Sequence, residues 1–433
     1  MKAKKLFKCV ITLFSLQGIL MGAQIKHINI NNVVQVPVIF EKQTNLPILN
    51  LQLVFQNSGS IQDEKLNGIA SFSAKLLNEG TKKLGSTKFA SKLESNAISL
   101  NTTAGFETFV IELSSLKEVN DKAFKYLKDL LEDPNYDKNV VEKIKTIQIG
   151  SLKRKQNDYD YVAKNQLKKI LFKDTPLENP SSGTVESISK IRLTDIKDFI
   201  SNAFNLSNLI IVAGGDIEYN EIKEKLKNVL SILPVGKQKK LKSFEITAKP
   251  TTKELIKDTQ QAYIYFGSRF NAKANDKENY MAKVASFILG GSGFGSRLME
   301  EIRVKRGLAY SAYGYVSINK SHSYFTGYLQ TKLESANEAK ELVSKIVDEF
   351  VQKGVTKEEL DSAKNFLLGS EPLRTETLAQ RLGRAFNLYY KGLEQDYPKK
   401  ELENIQNLKI DELNNYIKSH KEIIDLSFSI VRK

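Results

Sequence analysis

The stretch LSSLKEVNDKAFKYLKDLL, residues 113–131, returns as LQTKLESANEAKELVSKIV, residues 329–347. Leu113, Glu118, Ala123, Leu127 and Leu130 precede Leu329, Glu334, Ala339, Val343 and Ile346 by a constant 216 positions. A second block follows at an offset of 217. There Ile188, Ile191, Leu193, Ile196, Phe199 and Ile200 correspond to Ile405, Leu408, Ile410, Leu413, Tyr416 and Ile417. The second block keeps a helical apolar pattern in both copies, which places one helix face in a core. Thr194 and Asp411 hold equivalent places and are expected to cap those helices. Two blocks in one order, at nearly one offset, imply an old duplication into two domains of about two hundred residues.

The segments around these blocks fit a doubled plan. VVQVPVIFE and ILNLQLVFQ, within residues 33–60, read as strands split by the turn residues Asn45-Leu46-Pro47. A helical stretch is expected near 66–78. Phe109, Ile111 and Leu113 alternate as a half-buried strand does, and amphipathic helices are expected over 118–172. LIIVAGG reads as a buried strand, with a helix near 219–231 after it. The second half repeats the theme. QQAYIYFGSRF is a strand and YMAKVASFILGG a helix, while GLAYSAYGYVSI and SYFTGYLQTKL are strands around a turn at 319–321. IIDLSFSIV is the closing strand. PVGKQKKLKSFEITAKP, residues 234–250, has the proline, glycine and lysine content of a solvated join.

Bulk properties narrow the function classes. The 433 residues are 41% hydrophobic and 27% charged, as in ordinary globular proteins rather than disordered ones. Net charge is +15, but the lysines alternate with acids, and there is no tryptophan and no arginine-rich tract. That reads as a solvated surface rather than a nucleic-acid interface. The chain opens MKAKKLFK, CVITLFSLQGILMG, then Ala23 and Gln24, which describes a secretory signal peptide over 1–23. Secretion across the inner membrane into the periplasm is the expectation, with no transmembrane segment once the signal is removed. Removing residues 1–23 would lower the charge to +11 and delete Cys9, the single cysteine. The rest can form neither a disulfide nor a thiolate metal site.

Two stretches carry a family resemblance. NGIASFSAKLLNEGT, residues 67–81, resembles the helix that bears the inverted zinc motif in the pitrilysin/insulinase metallopeptidases. GGSGFGSRLMEEIRVKRGLAY, residues 290–310, is similar to the signature of that family's second half. The resemblance implies an α+β fold of two tandem homologous α/β-roll domains, each an antiparallel-rich sheet packed with helices. The whole would form a metallopeptidase-like half-clamshell around a peptide chamber. The expected divisions are a first domain over 24–233, a linker over 234–255 and a second domain over 256–433.

The zinc chemistry is judged from the residues. Positions i, i+3 and i+4 of a helix share a face, so histidines at i and i+4 hold zinc and a carboxylate at i+3 activates its water. Here those positions are Ser71, Ala74 and Lys75, a degenerate motif. Neutral serine is a poor ligand, alanine accepts no proton, and a lysine ammonium repels the cation. The resemblance places the third ligand near Ile149 or Gly150 and leaves Glu142 as a supporting acid. His27, His322 and His420 lie far apart in sequence and read as surface or turn histidines. No metal and no catalytic residue is therefore expected in this chain. Lys75 is expected to bond a nearby carboxylate or carbonyl in place of the missing charge.

The second-half stretch keeps Arg303 and Tyr310, which the resemblance implies are substrate-binding residues. Glycines 290, 291, 293 and 295 read as a tight turn rather than a phosphate loop, because a helix precedes them and no G-K-[ST] ending follows. Together these features imply a non-catalytic, substrate-binding subunit of a secreted heterodimeric zinc peptidase. Its partner would be a zinc-bearing subunit of the same family, its substrate a peptide or unfolded protein, and nucleic acid is not expected. The alternative is a stand-alone periplasmic peptide-binding or scaffold protein.

Overall fold

A computed structural model describes residues 22–433 apart from Lys65. Nearly all of the expected signal peptide lies outside the described residues. The first half builds a six-stranded sheet from β1 (Gln24–Ile30), β2 (Val34–Lys42), β3 (Ile48–Gln56), β4 (Ser99–Ala104), β5 (Thr108–Leu116) and β6 (Leu209–Gly215). The order is β1-β2-β6-β3-β5-β4. Only the β2–β6 pair is parallel. β6 thus separates β2 from β3, and the turn at 45–47 joins strands that do not pair. Every residue of β6 is buried, as befits a central strand covered on both faces.

The second half builds a five-stranded sheet from β7 (Thr252–Ile256), β8 (Gln261–Arg269), β9 (Ala309–Ile318), β10 (Ser323–Lys332) and β11 (Ser427–Arg432). The order is β7-β11-β8-β10-β9, with β7 and β11 parallel and the other pairs antiparallel. The halves match the sequence repeat. Leu113 on β5 and Leu329 on β10 are both buried, as are Ala123, Leu127 and Leu130 on the helix Asn120–Glu132 and Ala339, Val343 and Ile346 on the helix Ala336–Lys353.

The expected caps move by one residue in both copies. Asp195, not Thr194, reaches back to accept from the Arg192 amide at 2.8 Å. Glu412, not Asp411, accepts from the Lys409 amide at 2.9 Å. Both helices start two positions earlier than a cap at 194 or 411 requires, and an acid in the first turn satisfies the free N–H.

Each sheet is closed by a helix from the other half. Leu378, Leu382 and Ala385, on the helix Leu378–Lys391, pack on Ile39, Val54, Ile210 and Val212 of the first sheet. Ala163, Leu167 and Leu171, on the helix Tyr159–Leu171, pack against Tyr265 and Val431 of the second. This exchange removes both sheets' outer apolar faces from water, so neither half has a complete core alone.

The expected linker is corrected at its end. Residues 234–251 have no regular structure, but 252–256 form β7, whose parallel pairing with β11 satisfies its backbone. The irregular part is anchored rather than free. The Lys239 amide donates to Asn208 Oδ1 at 3.0 Å, the Phe244 amide donates to the Ser321 carbonyl at 2.7 Å, and Ile246 is buried beside Leu171. No helix among the described residues is long and apolar enough to cross a membrane.

Candidate functional site

The degenerate motif lies on the helix Ile69–Leu77. Gly68 begins it in a left-handed conformation (φ +93°), and a β-carbon there would sit 2.7 Å from the Gly183 α-carbon, so glycine is required twice over. The buried Asp63 carboxylate caps the helix, accepting from the Gly68 amide at 2.6 Å and the Ala70 amide at 3.0 Å. Burial pushes its pKa up to about 7, against the opposing pull of those amides.

Ser71 is half-buried, Ala74 buried and Lys75 partly exposed. The Lys75 ammonium still finds a partner, donating to Gln148 Oε1 at 3.1 Å. Gln148 is buried on the helix Lys138–Lys155, and its Nε2 donates to the Ser182 carbonyl at 2.8 Å. Partial burial, and then the nearby Lys155, hold the Lys75 pKa below the ordinary lysine value. The residue facing the motif helix is therefore Gln148, one before the expected Ile149. Glu142 is corrected too: it points to solvent and pairs with Lys145 at 2.8 Å.

These residues do not fit a zinc ion. An amide oxygen already bonded to an ammonium, a hydroxyl and a methyl group offer no ligand set. Among the described residues, no group of three or more histidines, cysteines, aspartates or glutamates has metal-holding geometry. His27 is exposed on β1. His420 stacks on Phe270 at 4.4 Å and meets Glu422 at 3.0 Å. His322 matches the turn half of its expectation and departs from the surface half. It follows the β9–β10 turn, yet Phe106 and Phe172 of the first half enclose it, each 5.5 Å away. Desolvation pushes its pKa down to about 4.

Beside the motif helix lies β4, an edge strand. Asn78, at the helix end, donates from Nδ2 to the Thr102 carbonyl at 3.1 Å and accepts from the Thr102 amide at 2.7 Å. Its side-chain amide thus makes the two bonds that a further strand would make at Thr102.

The second cluster surrounds the glycine-rich turn. The Arg303 guanidinium lies over the Tyr310 ring at 4.3 Å and over the Phe294 ring at 4.6 Å. Both rings are exposed, Tyr310 at 81% and Phe294 at 69%. Gly293 and Gly295, at φ +70° and +89°, turn the chain on either side of Phe294. Two π-helical turns, Phe287–Gly291 and Glu300–Val304, flank this segment. The structure thus brings Arg303 and Tyr310 together, and Lys75 to Gln148. No hydrogen bond or ion pair among the described residues joins the two clusters. Sequence reasoning missed Gln148, Asn78 and Phe294. Only Phe294, an aromatic set between glycines, carried a local signal.

Known proteins resemble this chain in sequence and share its architecture. "Insulinase (Peptidase family M16)" matches residues 38–185, and "Peptidase M16 inactive domain" matches residues 190–367. The chain is 46% identical to the "Non-peptidase homolog YmxG" of Helicobacter pylori, over 98% of each chain. It belongs to the peptidase M16 family. Solved structures share the fold of this M16 chain. An M16 inactive-domain crystal structure from Pseudomonas fluorescens aligns with a TM-score of 0.85 at 24% identity, covering 94% of this chain and 98% of that one. A protease from Helicobacter pylori aligns with a TM-score of 0.82 at 16% identity, covering 95% of this chain and 100% of that one.

Proposed function

We propose that this M16 chain is a non-catalytic, substrate-binding subunit of a secreted, heterodimeric zinc peptidase. The observation that supports the reading is the Lys75–Gln148 hydrogen bond, an ammonium and its amide acceptor on the helix that resembles the family's zinc-motif helix. Zinc and the catalytic carboxylate would then come from a partner of the same family, while Arg303 and Tyr310 contact the peptide. One organism, Helicobacter pylori, holds both a relative named a non-peptidase homolog and a protease of this fold, which supports a paired arrangement. A peptide added as a strand at β4 would have to displace Asn78 from Thr102, so engagement there competes with an internal contact.

The test is purification from the native envelope, followed by metal analysis and a peptide-hydrolysis assay of the chain alone and with its co-purifying proteins. The expected result is no stoichiometric zinc and no hydrolysis alone, with both present in a complex containing a relative that has an intact motif. Zinc-dependent hydrolysis by the isolated chain would refute the reading. Recovery without such a relative would favour the stand-alone binding or scaffold role.

A further inference from the structure

Among the described arginines, the Arg303 guanidinium is the one that rests over two aromatic rings. Arg297 pairs with Glu359, Arg306 with Glu301, Arg381 with Glu41, Arg384 with Glu371 and Arg432 with Glu254. The Arg303 side chain, like those of Arg154 and Arg374, makes no ion pair and no hydrogen bond among the described residues, while its backbone carbonyl accepts from the Gly307 amide at 2.9 Å. Two acids stand close in sequence: Glu301 is taken by Lys305 and Arg306, each at 2.6 Å, and Glu300 makes no ion pair with Arg303 among the described residues. What Arg303 does have is two aromatic rings, Phe294 and Tyr310.

The physical consequence is directional. A cation resting over ring faces gains from the ring quadrupoles without using its N–H groups. Those groups lie in the guanidinium plane and stay available to acceptors beyond the ring edges. Two rings also restrict the side chain's rotamers, which lowers the entropy lost when a ligand is gripped. A planar, pre-set fork without an internal acid suits a carboxylate, which accepts two parallel bonds, better than a lone carbonyl oxygen. The Tyr310 hydroxyl supplies one further donor on the same exposed surface.

We propose that Arg303 binds a peptide carboxylate, and that Phe294 is a positioning residue that holds the guanidinium for it. The proposal rests on the peptide-binding reading of this site and names the chemistry that the site selects. A chain terminus and an aspartate or glutamate side chain offer the same group, and the experiment separates them.

Short fluorescein-labelled peptides are titrated with the full chain by fluorescence anisotropy. Each is made with a free or an amidated C-terminus, and with its acidic residues present or replaced by amides. Binding about tenfold or more tighter for one carboxylate-bearing set is expected, identifying the source. Arg303→Lys and Arg303→Gln should abolish that preference. Phe294→Ala should weaken it severalfold, and Phe294→Tyr should restore it at an unchanged melting temperature, which a merely structural role for the ring would not produce. Equal binding of all four peptide sets would overturn the carboxylate proposal and leave peptide binding standing. Failure of every peptide to bind would overturn both.

Discussion

Buried Glu41 on β2 and half-buried Arg381 on the helix Leu378–Lys391 form an ion pair between the two halves, with Nε donating to Oε1 at 2.7 Å. Arg381 also donates to the carbonyls of Thr375 and Glu376, each at 3.0 Å, so its charge is held from both sides. The pair fixes the exchanged helix to the sheet it covers. Removing one partner strands the other charge, so Glu41→Ala should cost roughly 3–5 kcal/mol. Glu41→Gln keeps an acceptor and should cost less. Urea denaturation midpoints measure both, and an unchanged midpoint for Glu41→Ala would argue against the clamp.

Gln148 serves Lys75 and the Ser182 carbonyl at once. Gln148→Ala leaves the half-buried Ser182 carbonyl without its donor and opens space, so a loss of about 2 kcal/mol is expected. Lys75→Met removes only the partly exposed end of the pair and should change stability by less than about 1 kcal/mol, without creating a metal site. Stoichiometric zinc in metal analysis of Lys75→Met would contradict the account of the donor set.

Thr102 should show its contact with Asn78 in hydrogen exchange. As the outward-facing amide of an edge strand it would exchange quickly, yet Asn78 Oδ1 covers it at 2.7 Å. Asn78→Ala should speed its exchange by about tenfold or more, while Leu113 amide exchange deep in the sheet stays slow. Equal rates in the two proteins would mean that Asn78 does not guard the edge.

Ser73 is fully buried and its hydroxyl has no hydrogen-bond partner among the described residues. Replacing it by alanine removes an unsatisfied group without opening a large cavity. Ser73→Ala should therefore raise stability by about 1 kcal/mol. A loss of that size would instead point to a hidden partner.

His322 sets an acid limb on stability. Its folded pKa is depressed to about 4 from an ordinary value of 6.5, so the unfolded chain takes up a proton that the folded chain refuses. Stability is unaffected by this group above pH 6.5 and falls as pH drops from there towards 4, by up to about 3 kcal/mol. His322→Phe keeps the aromatic packing and removes the titration. The difference in melting temperature between the two proteins should thus change across that window, and a pH-independent difference would exclude the assignment.

The legible part of this protein was periodic or motif-bound. The repeat from Leu113 to Leu329 registers because each domain needs the same apolar spacing to bury the same helix face. Ser71, Ala74 and Lys75 were readable as a lost metal site because ligand chemistry depends on residue type at fixed helical spacing. The caps were misread by one position because Asp195 and Glu412 reach backward from the first turn, a choice that side-chain length makes locally.

The chain's order along the sequence thus settled the doubled fold, the family and the absence of a histidine pair on the motif helix. Only the folded molecule decided which residue meets Lys75, which helix closes which sheet, that Asn78 occupies the β4 edge and that Arg303 rests over Phe294. Those contacts join residues from nine to hundreds of positions apart. They are selected by burial and hydrogen-bond satisfaction in three dimensions, which leave no periodic trace in the chain itself.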